Sequence, residues 1–147
     1  MKFWDASAVV PLVIQEKETG ECRKLLSEDR DMVVWLFTPV EVTSALTRRL
    51  REKSLTLTDF RNAKRQLGVL ERSWLEVALA ERVRERARRL LENHPLRAAD
   101  SLQLAAAVVA CEGNPEGMQF VTLDGRLGEA AEKEGFTLTL PHTALST

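Results

Sequence analysis

The chain has 147 residues, of which 44% are hydrophobic and 29% are charged, and its formal net charge is −1. This composition is typical of a globular domain and excludes a largely disordered chain. The longest strongly apolar run, residues 102–111, is much shorter than the ~20 residues of a membrane span. Two cysteines are too few for a disulfide framework, and because Asp5 interrupts the opening apolar residues we expect no signal segment. We therefore expect a cytoplasmic protein.

The charge is unevenly distributed along the chain. Residues 44–97 contain fourteen Lys and Arg against seven Asp and Glu, a net charge of +7, whereas the rest contains seven against fifteen, a net charge of −8. A basic surface attracts polyanions, and clustered carboxylates repel one another unless a cation lies among them. For any single Arg, a solvated helix face remains the alternative.

The first segment of the chain places an acid at the end of a strand. The bulky residues Phe3 and Trp4 lead into Asp5, and a small pair then opens an apolar run that continues to residue 14. This pattern predicts a short strand, a tight turn and a helix. A helix over residues 18–28 and a strand over residues 32–37, apolar throughout, complete a βαβ unit with a parallel sheet. Asp5 is then either a plain helix N-cap or a ligand-binding acid at the carboxyl edge of the sheet.

Glu41 also has two interpretations. Thr38 is a candidate N-cap, Pro39 suits the first helical position, and Glu41 follows the cap by three residues, as in a capping box. A helix that begins directly after a buried strand also places Glu41 at the carboxyl edge, beside Asp5. The capping and functional roles both remain open.

Residues 39–72 predict a basic helical hairpin, with a connection at residues 54–57 and with Thr58 as the cap of the second helix. The second helix carries one apolar stripe, formed by Phe60, Ala63, Leu67 and Leu70. Such a stripe more often packs into the core, but two adjacent amphipathic helices also form a groove suited to a partner helix.

The helix predicted from residue 96 onwards contains an unusual acid. A strand over residues 74–77 and a helix over residues 79–91 precede it. Asp100 shares a helix face with the apolar Leu104 and Ala107, and an inward carboxylate needs a partner or a metal ion. The alternatives are an N-cap role, with Gln103 completing a capping box, or an ion pair with Arg97.

The last segment repeats the arrangement around Asp5. A strand over residues 119–123 runs into Asp124, and a helix over residues 126–134, Gly135 as its C′ residue and a strand over residues 136–140 follow. Two strand-end acids, one helix-start acid and one inward helical acid are thus predicted to meet at one edge of the sheet.

Four segments resemble, in order, the acidic motifs of the PIN-domain nucleases. They are residues 3–7 (FWDAS), 38–42 (TPVEV), 96–105 (LRAADSLQLA) and 121–127 (VTLDGRL). The resemblance covers nearly the whole chain and is greatest to the VapC-type ribonuclease toxins of bacterial and archaeal toxin–antitoxin modules. It implies one nuclease domain over residues 1–147, with an α/β/α sandwich around a mostly parallel sheet and, here, a helical hairpin insertion. It also implies RNA cleavage, a homodimer, and a cognate antitoxin peptide that blocks the site.

The resemblance maps Asp5, Glu41, Asp100 and Asp124 onto the acidic set, and Ser7 and Thr122 onto positions where hydroxyl groups support it. Carboxylates and water are ligands suited to Mg²⁺ or Mn²⁺. We expect Asp5 and Asp100 to bind the ion directly. We expect Glu41 and Asp124 to act through water or a second ion, or to position the attacking water.

The basic residues are expected to contact RNA or the antitoxin; those selected are Arg48, Arg49, Arg51 and Arg97. Two other classes of function remain. One is a catalytically silent PIN-like domain that binds RNA or serves as a scaffold, which the presence of all four acids disfavours. The other is a Mg²⁺-dependent phosphotransfer or receiver domain, which is disfavoured because Asp5-Ala6-Ser7 lacks the second acid of an Asp-x-Asp nucleophile pair.

Overall fold

The computed structural model describes residues 1–139, in which short strands alternate with helices. The strands are β1 (Lys2–Trp4), β2 (Met32–Trp35), β3 (Leu75–Val77), β4 (Gln119–Val121) and β5 (Thr137–Thr139). The α-helices are α1 (Ala6–Val13), α2 (Thr19–Glu28), α3 (Thr38–Arg51), α4 (Leu57–Glu71), α5 (Ala80–Asn93), α6 (Ala98–Ala110) and α7 (Gly125–Lys133), and a 3₁₀ turn spans Pro115–Gly117.

The strands form one parallel sheet in the order β3-β2-β1-β4-β5. The central strand, β1, pairs Phe3 with Val33 of β2 on one side and with Phe120 of β4 on the other. The chain moves outward from β1 in both directions, so the strand order reverses between β1 and β4. In open α/β sheets, ligands bind beyond the carboxyl ends of the strands at such a reversal.

Alternating side chains of the strands enter two separate cores. Phe3, Val33 and Phe120 pack on one face of the sheet against helices α5, α6 and α7. Trp4 and Val34 point to the other face, where α1 to α4 cover them. The predicted three-layer α/β/α sandwich is therefore confirmed, with a sheet that is parallel throughout the described residues. No helix of residues 1–139 has the length and apolar content needed to cross a membrane.

Helices α3 and α4 form the predicted hairpin between β2 and β3. Ala63 and Leu67 of α4 are buried in the core, and Phe60 and Leu70 pack against it. The apolar stripe thus packs into the core, and the polar face of the hairpin is the face available to partners.

Several predicted boundaries are wrong. Thr38 is not an N-cap, because α3 already includes it, and Phe37 occupies the cap position without a side-chain cap bond. Thr56 rather than Thr58 caps α4, since it has extended backbone and accepts a hydrogen bond from Asp59 N–H at 3.1 Å. Strand β2 ends at Trp35, so Phe37 lies outside the sheet and is exposed. Residue 140 of the last predicted strand lies outside the described residues.

Candidate active site

Asp5 lies at the carboxyl end of the central strand, and only 3% of its surface is exposed. Its Oδ1 accepts hydrogen bonds from Ala8 N–H at 3.1 Å and from the Ser7 hydroxyl at 2.7 Å. The N-cap interpretation is therefore confirmed, but a plain N-cap is normally solvated. Burial raises the pKa of Asp5 to about 6, against the lowering effect of these bonds. Asp5 is thus a cap whose carboxylate is also held away from water.

A hydroxyl network ties Asp5 to the neighbouring strand. Thr122, which is fully buried after β4, donates its hydroxyl proton to Asp5 Oδ2 at 2.7 Å. The Ser7 hydroxyl oxygen accepts from Leu123 N–H at 2.9 Å, and Thr122 Oγ1 accepts from Asp124 N–H at 2.9 Å. The two hydroxyl groups therefore fix the Asp5 side chain and the start of the Asp124 loop in one arrangement.

Glu41 faces the same edge from the first turn of α3. Its Oε2 accepts a hydrogen bond from Gln103 Nε2 of α6, and the same nitrogen donates to Thr38 Oγ1 at 3.2 Å. The capping-box interpretation of Glu41 is wrong, because its carboxylate is bonded to another helix. Burial raises the pKa of Glu41 to about 7; the Gln103 bond opposes this, and the charges of Asp5 and Asp100 add to it.

Asp100 is half-buried in the first turn of α6, on the face that carries the buried Leu104 and Ala107. Burial and the nearby charge of Asp124 raise its pKa, whereas Arg97 and Arg126 lower it. The alternative local roles are wrong. Arg97 occupies the N-cap position, and Gln103 points to Glu41. Asp100 also forms no ion pair with Arg97 among the described residues.

Asp124 follows β4 and caps α7, accepting from Arg126 N–H at 3.0 Å and from Leu127 N–H at 3.2 Å through Oδ1. Its other carboxylate oxygen is not used by this cap. Asp124 and Asp100 line a cleft of about 520 Å³ together with Arg97 and Arg126.

The selected arginines are placed differently from one another. Arg48 and Arg49 line a cleft of about 380 Å³ that also contains Ser7 and Glu41. Arg49 is engaged there in an ion pair with Glu16 at 2.7 Å. Arg51 lies at the far end of α3 and does not line this cleft.

The PIN domain family model matches residues 2–133, which is most of the chain. The chain belongs to the PIN domain family. Comparison with curated protein sequences gave no significant match. The family assignment agrees with the sandwich and with the order of the four acidic segments.

Solved structures with the same fold are distant in sequence. VapC20 from Mycobacterium tuberculosis, a Sarcin-Ricin loop cleaving toxin, is 18% identical, with 93% of this chain and 97% of that chain covered and a TM-score of 0.65. FitAcB from Neisseria gonorrhoeae is 15% identical, with 97% and 99% covered and a TM-score of 0.65. PAE2754 from Pyrobaculum aerophilum is 20% identical, with 98% and 91% covered and a TM-score of 0.63. At these identities the likeness establishes the fold of this PIN domain.

The acids of this PIN domain suit a loosely held divalent ion. Within residues 1–139, no three Asp, Glu, His or Cys side chains are close enough together to enclose one ion by themselves. Mg²⁺ usually takes one or two carboxylates and keeps several waters, so an enclosing cage is not required. Burial, with a smaller contribution from the nearby carboxylates, raises the pKa values of Asp5, Glu41 and Asp100, and a bound cation would favour their charged forms. The donor set therefore fits such an ion.

Two residues of this site were not identified from the sequence. Gln103 is 2% exposed and was interpreted only as part of a capping box, although its amide holds Glu41. A buried amide in an apolar helix face is itself a signal, because it requires a partner. Arg126 was interpreted only as the start of a helix, and its nearness to Asp100 depends on the packing of α7 beside α6.

Proposed function

We propose that this PIN domain is a metal-dependent endoribonuclease and the toxin of a VapC-type toxin–antitoxin pair. The observation that carries the proposal is the gathering of Asp5, Glu41, Asp100 and Asp124 at the carboxyl edge of the sheet. Three of these carboxyl groups have pKa values raised chiefly by burial, so a cation among them would favour their charged forms. RNA as the substrate is supported by the likeness to VapC20, a Sarcin-Ricin loop cleaving toxin.

Asp5 and Asp100 are the proposed direct ligands of the ion. When bound, Mg²⁺ or Mn²⁺ supplies an activated water and neutralises charge on the scissile phosphate. Ser7 and Thr122 keep the Asp5 carboxylate in one orientation through bonds of 2.7 Å each. A ligand held in this way loses little conformational entropy on binding.

Glu41 and Asp124 complete the site from opposite sides of Asp5. Gln103 holds one oxygen of Glu41, which leaves the other oxygen to position the attacking water by a hydrogen bond. Asp124 uses one oxygen to cap α7, so its second oxygen is available to a water molecule bound to the ion. Hydrolysis would form a bond between phosphorus and the oxygen of the attacking water and would break one P–O bond of the strand. One proton of that water goes to the departing oxygen, which leaves as an alcohol, and the other remains with the new phosphate end or passes to solvent.

The basic residues extend the site along an RNA strand. Arg97 and Arg126 flank Asp100 and Asp124 in one cleft, and Arg48 lies near Glu41 in another. Guanidinium groups on both sides of the acids are suited to bind the phosphates on either side of the scissile bond. Arg51 lies farther along α3, where it would make more peripheral contacts with RNA or antitoxin.

The remaining parts of the proposal concern partners. An antitoxin peptide that covers the acids and pairs with the surrounding arginines would block RNA, and a homodimer of the toxin in the cytoplasm is expected. Co-expression with the product of an adjacent small gene, followed by purification of the complex, tests the antitoxin. The sedimentation coefficient of the purified chain tests the dimer.

The central experiment measures cleavage of single-stranded RNA by the purified protein in Mn²⁺, in Mg²⁺ and in EDTA. Cleavage in either ion, its absence in EDTA and its loss in Asp5→Asn are the expected results. Cleavage that is equally fast in EDTA would refute the mechanism. RNA binding without cleavage in either ion would instead identify a non-catalytic RNA-binding PIN domain.

A further inference from the structure

A small apolar cleft opens directly beside Glu41. Among residues 1–139, its walls are Trp35, Phe37, Val40, Ala99 and Leu102, and Glu41 is the one polar residue that lines it. We call it the aromatic cleft. Its volume is about 330 Å³, at the lower end of the roughly 300–1,000 Å³ typical of small-molecule sites. An apolar cleft with a polar group at its edge is the usual form of a site for a small flat group.

The cleft is walled by two residues that the fold leaves exposed. Phe37 is 51% exposed and Val40 is 65% exposed, although both are large and apolar. They are exposed because β2 stops at Trp35 and the chain turns into α3, which carries Phe37 out of the sheet. Ala99 and Leu102 of α6 form the opposite wall.

The Phe37 ring is held in place before any ligand arrives. It meets the buried Trp35 ring edge to face, with the centroids 5.3 Å apart and the planes at 66°. Such a contact restrains an aromatic side chain that is otherwise free in solvent. The exposed half of the Phe37 ring therefore already has a fixed orientation in which a flat ligand can stack on it.

We propose that the aromatic cleft receives one unpaired base of the RNA, stacked on Phe37, from a nucleotide next to the scissile phosphate. This inference rests on the proposed function. Glu41 lines both the aromatic cleft and the polar cleft that holds Ser7 and Arg48. A phosphate at the acids therefore places an adjacent base within reach of Phe37, while the strand continues towards the arginines. Single-stranded RNA is commonly held in this way, by phosphate contacts and by aromatic stacking together.

The chemistry of the walls favours a base as the occupant. The described walls are apolar apart from Glu41, and a base has neutral apolar faces that need no counter-charge there. Because the walls offer almost no hydrogen-bonding groups, the cleft should accept any base and favour purines, which have the larger stacking area.

The test combines protein variants with RNAs that lack single bases. A short RNA with one abasic nucleotide is prepared for each position near the cleavage site, and steady-state cleavage in Mn²⁺ is measured. At one position, loss of the base should raise the KM of the wild-type protein about 5- to 100-fold. Phe37→Ala should raise the KM for intact RNA by a similar factor and alter kcat much less, as expected when uniform binding is lost.

The two losses should not add. In Phe37→Ala, removal of the same base should have no further effect, because the contact is already missing. Phe37→Trp should restore the KM. Leu91→Ala is the matched control, since Leu91 is 41% exposed and does not line the cleft. Its KM should equal that of the wild-type protein.

Other results would overturn the inference. An unchanged KM in Phe37→Ala, or effects of the base and the variant that add fully, would show that Phe37 does not stack on a base. A lower mass of Phe37→Ala in sedimentation, with no abasic dependence, would assign the cleft to a contact between copies. Loss of antitoxin inhibition without a change in KM would assign it to the peptide.

The inference can fail separately from the proposed function. If the wild-type protein cleaves RNA and Phe37→Ala cleaves with the same KM, only the base site is wrong. If the wild-type protein cleaves no RNA, the proposed function is wrong. Fluorescence anisotropy in Ca²⁺, with short single-stranded RNAs that carry one abasic nucleotide at each position in turn, then decides the base site. If the affinity depends on one base and Phe37→Ala removes that dependence, the base site is retained. If the affinity depends neither on any base nor on Phe37, the base site is wrong.

Discussion

Replacing Asp5 with Asn removes a charge that the fold buries at a cost. Asn has nearly the shape of Asp and can still accept the hydrogen bonds from Ser7 and from Ala8 N–H. Only the bond from Thr122 has to reverse, so that the hydroxyl oxygen accepts from the new amide group. We expect Asp5→Asn to fold and, without metal, to be more stable than the wild-type protein.

The size and pH dependence of the gain follow from the raised pKa. The pKa of Asp5 rises from 3.8 to about 6 in the folded protein, and each pKa unit corresponds to about 1.4 kcal/mol. Below about pH 3 the carboxyl group is protonated in both the folded and the unfolded state, and its burial costs no stability. Stability is lost as the pH rises from the unfolded pKa through the folded pKa, and the loss reaches about 3 kcal/mol above pH ~6. Since the reversed Thr122 bond offsets part of the gain, we expect about 1–3 kcal/mol at about pH 8.

The assay is urea unfolding in EDTA at about pH 8 and about pH 4, and the fluorescence of the three tryptophans reports unfolding. In a chain of about this size, each kcal/mol also raises the melting temperature by about 2–4 °C. The control is Asp31→Asn, at an exposed aspartate, which should change neither the free energy of unfolding nor the melting temperature. A variant that is no more stable than the wild-type protein at about pH 8, or equally stabilised at about pH 4, would refute the reasoning.

Adding a divalent ion should narrow or reverse the difference in stability between the two proteins. At 100 times its dissociation constant, an ion that binds only the folded state stabilises it by about 2.7 kcal/mol. The wild-type protein should gain this stabilisation from Mn²⁺, and Asp5→Asn should gain much less. A melting temperature raised equally in both proteins would show that the ion binds elsewhere.

Glu41→Gln keeps the shape of the side chain and the bond to Gln103, so at about pH 4, where the folded protein holds Glu41 uncharged, the free energy of unfolding should change by less than about 1 kcal/mol. Cleavage should fall by more than the roughly 10- to 100-fold typical of outer groups, and full activity would leave Glu41 with a structural role only. Gln103→Leu removes the hydrogen-bond donor that lowers the pKa of Glu41. The acidic limb of the pH–rate profile should therefore move to higher pH, and cleavage should fall about 10- to 100-fold. An unmoved limb would show that Gln103 does not position Glu41. The double variant Arg48→Glu with Arg51→Glu leaves the ion-paired Arg49 in place. It should bind RNA more weakly, and the slope of log K against log salt should be flatter by about 1.4, as expected for two lost phosphate contacts. The same slope in the wild-type protein and the double variant would mean that these two arginines are only solvated.

The sequence alone determined the order of the strands and helices along the chain and the position of the acids in that order, although not every boundary. Local periodicity is enough for this, because a buried parallel strand is apolar throughout and an acid directly after it must lie at the carboxyl edge. Asp5 and Asp124 were placed correctly for that reason. The parallel order of the sheet then brought Glu41 to the same edge, as predicted.

Only the tertiary structure decided what these side chains bind. Glu41 and Gln103 are 62 residues apart and Asp5 and Thr122 are 117 apart, so neither hydrogen bond leaves a periodic signal in the sequence. A capping box and a bond between helices require the same residue types, and the choice depends on where α6 packs. The exposure of Phe37 likewise depends on where β2 stops, since its apolar run alone predicts a buried strand. Packing between distant segments thus determined the partners of the acids, and local patterns determined their positions.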